Sequence, residues 1–177
     1  MKILLHACCA PCAVKCVEIL QKEGDTSLFW CNPNIHPLTE YRARRSALEA
    51  YAKDIGVEYF EKGGYGLQEY LSAIWPNTSS RCATCYKMRL DQTAKYASEN
   101  GFDAFSTTLL ISPYQDHNLI IEIAKAAAEK YGATLLYRDF RPYFREGQAQ
   151  ARALGLYMQK YCGCIFSEQE RYSKKKG

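Results

Sequence analysis

The chain has 177 residues, 47% of them apolar and 13% aromatic, with a net charge of +4 at pH 7. That is enough apolar material for one domain with a sizeable core. No run approaches the ~20 apolar residues that span a bilayer, and the start lacks the basic lead-in and long apolar stretch of a signal peptide. A cytoplasmic protein is expected, with no membrane partner. In that reducing compartment, nine cysteines argue for metal or redox chemistry rather than a disulfide framework.

Strand and helix signals alternate along the chain. Residues 2–6 read as a buried strand, followed by a helix with Pro11 in its first turn, where a missing N–H costs nothing. Residues 27–31 form a second strand ending in the turn-rich Asn32-Pro33-Asn34. Residues 39–55 read as a helix closed by Gly56, and residues 57–60 as a short third strand. Residues 63–81 have the weakest pattern and read as a surface insertion. A helix is expected over 81–100 and a fourth strand over 103–107. Ser112, Pro113 and Gln115 suggest a capped helix start, with an apolar stripe through Leu119, Ile120, Ile123, Ala124 and Ala127 and a stop at Gly132. A fifth strand over 134–137 and a helix over 144–158 complete the series. The order predicts an α/β fold: a single three-layer domain over residues 1–177, with a parallel five-stranded Rossmann-like sheet.

The cysteines fall into three clusters: Cys8, Cys9 and Cys12; Cys82 and Cys85; Cys162 and Cys164. The first follows the strand at 2–6, so its thiols lie at the C-terminal edge of the strands, where open α/β sheets bind their ligands. Cys12 and Cys16 share a helix face, and a helix N-terminus stabilises thiolates. Cys82 and Cys85 have chelate spacing at another helix start, and glycine between Cys162 and Cys164 lets the backbone turn between ligands. Structural zinc needs four ligands, and this pattern is not a zinc ribbon. Four thiolates can instead hold a 4Fe-4S cluster, which leaves others for a second metal or for redox work. Cys16 and Cys31 read first as small buried hydrophobes, and His6 as a hydrogen-bonded core residue. Trp30 belongs to a strand core, whereas Trp75 could stack on a base.

Several segments occur in one order: Leu4-Leu5-His6-Ala7-Cys8-Cys9-Ala10-Pro11-Cys12, Asn32-Pro33-Asn34-Ile35, Glu40-Tyr41, Arg81-Cys82-Ala83-Thr84-Cys85-Tyr86, Ser106-Thr107-Thr108-Leu109-Leu110-Ile111-Ser112-Pro113-Tyr114-Gln115 and Tyr161-Cys162-Gly163-Cys164-Ile165-Phe166-Ser167. Together they closely resemble the QueH-type epoxyqueuosine reductases, from Leu4 to Glu168. The resemblance implies removal of the epoxide oxygen from epoxyqueuosine in a tRNA anticodon loop, without cobalamin. It also implies a 4Fe-4S cluster with an adjacent mononuclear iron, on a fold similar to the adenine-nucleotide α-hydrolases. That family often has aspartate where this chain has Cys12. The Ser-Gly-Gly-x-Asp-Ser loop of ATP-using fold relatives is replaced by Cys8-Cys9-Ala10-Pro11-Cys12, so no ATP is expected.

The expected metal and cofactor ligands are thus Cys8, Cys9, Cys12, Cys82, Cys85, Cys162 and Cys164. Deoxygenating an epoxide takes two electrons and two protons, which calls for a metal–sulfur centre and an external electron donor. Tyr114, Asp116 and His117 are candidate acids, with helix capping and solvation as their other reading. Arg42, Arg44, Arg45, Arg81 and Arg141 are candidates for tRNA phosphate contact, and Tyr41, Tyr86 and Tyr143 for stacking on bases. Lys174, Lys175 and Lys176 read as a frayed basic tail. Two other readings compete: a thiol or sulfur-transfer enzyme acting on tRNA through Cys82 and Cys85, and a zinc-stabilised RNA-binding module.

Overall fold

The computed structural model describes residues 1–173, so the three tail lysines lie outside the described residues. Its centre is β1 (Lys2–His6), whose Ile3, Leu4 and Leu5 are fully buried. A strand apolar on both faces is what a parallel sheet covered on both sides requires. β1 pairs in parallel with β2 (Asp25–Trp30) on one side and β4 (Ala104–Thr107) on the other, with Leu5 opposite Leu28 and Ser106. The short β3 (Tyr59–Glu61) adds to β2, giving a four-stranded sheet in the order β3-β2-β1-β4.

The helices follow from that order. α1 (Ala10–Leu20) and α2 (Leu38–Asp54) link strands stepping one way across the sheet. The β3-to-β4 connection, through α3 (Leu67–Ile74) and α4 (Arg81–Glu99), steps back the other way. Right-handed crossovers therefore put α1 and α2 on one face and α4 on the other. α5 (His117–Tyr131) packs on α4, and α6 (Phe144–Ala153) packs on α1. Among the described residues no helix is long and apolar enough to cross a membrane.

Four expectations need correction. The fifth strand is a single bridge, Phe105 to Leu135, held by two backbone hydrogen bonds: Phe105 N–H to the Thr134 carbonyl at 2.9 Å and Leu136 N–H to the Phe105 carbonyl at 2.8 Å. Beyond it the chain turns away, because Arg138 forks onto Glu23 and Asp139 onto Arg141. The helix expected at Ser112 begins instead at His117. Leu109, Leu110 and Ile111 are buried in a 3-10 turn, and the Asp116 carboxylate is the cap, accepting from Leu119 N–H at 3.1 Å. Residues 63–81 are no surface insertion: α3 buries Tyr70 and Ile74 against Cys85 and Cys164. A short helix, α7 (Ile165–Ser173), follows the last cysteine pair and was not expected.

Because its carboxylate closes the first turn of α5, Asp116→Ala should lower stability by about 1 kcal/mol, read as a shifted urea midpoint at unchanged slope. Turnover collapsing while the fold is intact would instead give Asp116 a part in the chemistry.

Candidate metal centre

The C-terminal edge of β1 is where three thiol-bearing segments arrive. Cys9 is the N-cap of α1, with an extended backbone and no side-chain cap of its own. The α1 amides are thus left facing Cys8, Cys9 and Cys12, a setting that favours anionic sulfur. Among the described residues these form the one trio of potential ligands with all ligand atoms within 4.8 Å of each other, and all three residues are buried. Cys8 and Cys9 sulfurs are 3.8 Å apart. The backbone N–H of Cys8 donates to the Thr108 hydroxyl at 3.2 Å, and that hydroxyl lies 3.6 Å from the Cys8 sulfur. Hydrogen bonds from the Cys12 and Cys9 thiols pull Cys8 well below the ordinary thiol range. Burial pushes Cys9 up, and the Cys12 thiol is raised chiefly by its bond to Cys8. The trio therefore carries one negative charge more readily than three, unless a cation is added.

The other four cysteines gather beside it. Cys82 and Cys85 lie in the first turns of α4, and Cys85 and Cys164 share a buried cluster with Tyr70 and Ile74. Burial raises Cys85 to about 12, and charges on Cys162, Cys164 and Cys82 add to that rise. Cys82 is exposed. Cys162 is exposed as a residue, yet its sulfur sits in desolvated surroundings that raise its pKa, and it feels both Cys164 and Cys8. Cys162 is thus the sulfur electrostatically linked to both groups. All nine cysteines are free thiols.

The third segment is held by a clamp. Arg44, 1% exposed, donates Nη1 to the Cys162 carbonyl at 2.9 Å and Nη2 to the Tyr161 carbonyl at 2.8 Å. Its Nε donates to Glu40 at 2.6 Å, and Glu40 also accepts from the Tyr157 hydroxyl at 2.5 Å. The Tyr161 hydroxyl donates to the His36 carbonyl at 2.6 Å, and His36 N–H donates to the Gly163 carbonyl at 2.8 Å. Gly163 has φ +150, and a Cβ there would sit 3.2 Å from Ile35 and 3.4 Å from Arg44. A side chain at that turn would be strained and crowded, so glycine separates the two cysteines.

The remaining expectations sort by burial. His6 is fully buried, its Nδ1 is 2.9 Å from the Thr107 hydroxyl and its Nε2 is 3.3 Å from the Cys31 carbonyl, and burial lowers its pKa to about 4. It is a neutral core residue. Cys16 and Cys31 are buried, with thiols raised by desolvation. Trp30 is buried, donating to the Tyr41 hydroxyl, whereas Trp75 is 76% exposed. Tyr114 is 86% exposed, and its neighbour Gln115 approaches the Cys162 sulfur at 4.0 Å. His117 is buried with Nε2 at 3.1 Å from the Tyr137 hydroxyl. Arg44 is spent on the clamp and cannot meet phosphate, and Tyr41 and Tyr86 are buried and unavailable for stacking. Arg45 pairs with Glu61, Arg81 with Glu170 and Arg141 with Asp139, and Arg42 is exposed.

Sequence reasoning missed Tyr70, Arg89, Gln115 and Gln159. Tyr70 is fully buried with an unpartnered hydroxyl, and that hydroxyl is influenced most, after burial, by Cys164. Gln159 Nε2 lies 3.6 Å from the Cys12 sulfur. No motif marks these residues, since each reaches the sulfurs only through the fold. A cavity of about 730 Å³ beside α4 is lined by Cys31, Tyr65, Met88 and Tyr131, and by none of the clustered thiols.

A family profile described as "Epoxyqueuosine reductase QueH" matches residues 3–170. Proteins of that name are similar to it: one from Dehalococcoides mccartyi is 38% identical over 98% of this chain and 96% of its own, and one from Thermotoga maritima is 36% identical over 97% and 93%. One from Haemophilus influenzae is 35% identical over 94% of this chain and 71% of its own. The fold is shared with a solved structure described as a "predicted subunit of tRNA methyltransferase" from Methanocaldococcus jannaschii, at TM-score 0.53 and 14% identity, covering 82% of this chain and 74% of that one.

Arg44→Ala removes both carbonyl contacts of the last cysteine segment and leaves Glu40 buried without its cation. We expect a loss of about 3–5 kcal/mol, measured by denaturant unfolding. Protease cleavage near residues 157–164 should become faster.

Proposed function

The chain belongs to the QueH family of epoxyqueuosine reductases, and from that premise we propose how its own residues serve the reaction. The chain acts in tRNA queuosine biosynthesis as an oxidoreductase that takes the epoxide oxygen from epoxyqueuosine. The balance is two electrons and two protons in, the epoxide converted to an alkene, and one water out. The electrons come from an external donor that is itself oxidised.

The observation that carries the site assignment is the division of the sulfurs into a compact trio and a looser quartet. A single ion needs ligands close to one another, as Cys8, Cys9 and Cys12 are. A cubane takes four thiolates well apart at its corners, and Cys82, Cys85, Cys162 and Cys164 are the four clustered cysteines outside the compact trio that would hold it. The Tyr70 hydroxyl is buried beside Cys164, with no nitrogen or oxygen partner of its own. The donor set therefore fits a 4Fe-4S cluster held by the quartet and one iron held by the trio. So filled, the site supplies low-potential electrons and a Lewis-acidic position for the epoxide oxygen.

The chain's own work is placement and proton supply. The α1 and α4 N-termini offset the sulfur charge, and the Cys162 segment brings the two groups side by side. Tyr114, Asp116 and His117 are the proposed acids for the departing oxygen. Asp116 is committed to its cap, and burial lowers the pKa of His117. Tyr114, exposed next to Gln115, is the best placed of the three. The anticodon loop is single-stranded, so presenting its base costs a few kcal/mol at most. Exposed Arg42, Trp75 and Tyr143, with Arg81 and Arg141 after exchange of their carboxylates, are the proposed tRNA contacts.

Anaerobically reconstituted protein should contain iron and sulfide and turn over epoxyqueuosine-containing tRNA. Cys85→Ser should lose the sulfide with most of the iron. Cys8→Ser should keep the sulfide and lose the additional iron, and both variants should be inactive. Full iron content in Cys8→Ser, or zinc in place of iron in the parent protein, would contradict the assignment. In addition, tRNA affinity should fall at least tenfold between about 50 and 200 mM salt, followed by filter binding. Affinity indifferent to salt would point to a free nucleoside as the substrate.

A further inference from the structure

Beside Cys85 lies a buried charge that, among the described residues, no carboxylate answers. Arg89, on the inner face of α4, is 2% exposed. Its Nη2 donates to the Cys85 sulfur at 2.9 Å and its Nε to the Cys85 carbonyl at 3.2 Å, and its guanidinium lies 5.9 Å from the centre of the Tyr86 ring. Among the described residues it takes part in no salt bridge, whereas the other fully buried arginine, Arg44, has Glu40. Guanidinium does not release its proton in proteins, and a buried cation without a counter-charge is strongly unfavourable. The counter-charge here is sulfur. The Cys85 sulfur is the side-chain atom to which Arg89 is hydrogen-bonded, and Cys85 is read above as a cluster ligand.

We propose that Arg89 is a positioning residue that serves as the permanent counter-ion at the Cys85 sulfur and thereby sets the reduction potential of the centre that Cys85 holds. The proposal rests on the reading of the site given above. With the centre filled, each electron taken from the external donor would add one unit of negative charge to it. A cation fixed at hydrogen-bond distance from a ligand sulfur lowers the energy of that more negative state, and in surroundings this dry the effect is little screened. The fork also explains why arginine stands here. One nitrogen holds the sulfur and another holds the carbonyl of the same residue, so the Cys85 sulfur cannot rotate away without breaking a charge-assisted bond. Water in the same place would carry no charge, and a carboxylate would repel the thiolates.

The test compares the parent protein with Arg89→Met and Arg89→Lys under anaerobic conditions. Iron and sulfide content, circular dichroism and spectroelectrochemical midpoint potential are read for each. We expect Arg89→Met to shift the potential to more negative values and Arg89→Lys, which keeps the charge, to recover most of that shift. An Arg89→Met protein that titrates at the parent potential overturns the proposal, as does an Arg89→Lys protein displaced as far as the methionine variant. If Arg89→Met retains no iron, the lysine variant decides: iron retained near the parent potential supports the charge, and iron absent from both overturns it. A parent protein that takes up neither iron nor sulfide sinks the reading of the site itself, and the proposal with it, before any variant is made.

Discussion

The Arg44 guanidinium reaches from α2 to the carbonyls of Tyr161 and Cys162, more than a hundred residues later in the chain. Without that bond the last cysteine pair would sit on a short segment between two small helices, with little apolar surface to fix it. With it, Cys164 is brought into the buried cluster that holds Cys85. Glu40 neutralises the arginine and Tyr157 satisfies the second carboxylate oxygen. All three guanidinium nitrogens and both carboxylate oxygens thus have a partner, which helps a buried pair to be tolerated. The cost of its desolvation is offset by the ordering of a segment that packing alone would not hold.

The sheet supplies the rest of the geometry. A parallel strand followed by a helix ends with its backbone amides free and facing the crevice, and β1 and α1 present the Cys8–Cys9–Cys12 turn there. Antiparallel α4 brings its own N-terminus to the same edge, so two helix dipoles point toward the sulfurs. The positive field of those helix ends falls on the cysteines of the turn. Two buried arginines, one bound to carbonyls and a carboxylate and the other to sulfur, add positive charge to a region where burial raises several of the thiols.

Most of the elements could be read from periodicity because they are driven by burial. The apolar run Ile3-Leu4-Leu5 could be nothing but a covered strand, and α5 carried its stripe at helical spacing. The misreadings came where local signals were outbid. Ser112, Pro113 and Gln115 formed a plausible cap, but Leu109, Leu110 and Ile111 went into the core first and pushed the helix start to Asp116. The segment 134–137 had strand composition, yet Arg138 found Glu23 and the ladder stopped after one bridge. Residues 63–81 lacked a strong pattern because α3 buries only Tyr70 and Ile74, too few for a visible stripe.

The chemistry-bearing residues were legible because chemistry depends on residue type: clustered cysteines, a glycine between two of them and a proline in the first helical turn announce themselves in one dimension. What the amino-acid order could not disclose was which sulfurs share a group, which arginines are spent inside and which tyrosines face water. Arg44 and Arg42 stand two places apart and look alike in the sequence, yet one is sealed in the core and the other is exposed. Those choices depend on contacts between residues distant in the chain. Such contacts exist only once the sheet has brought its loops to one edge.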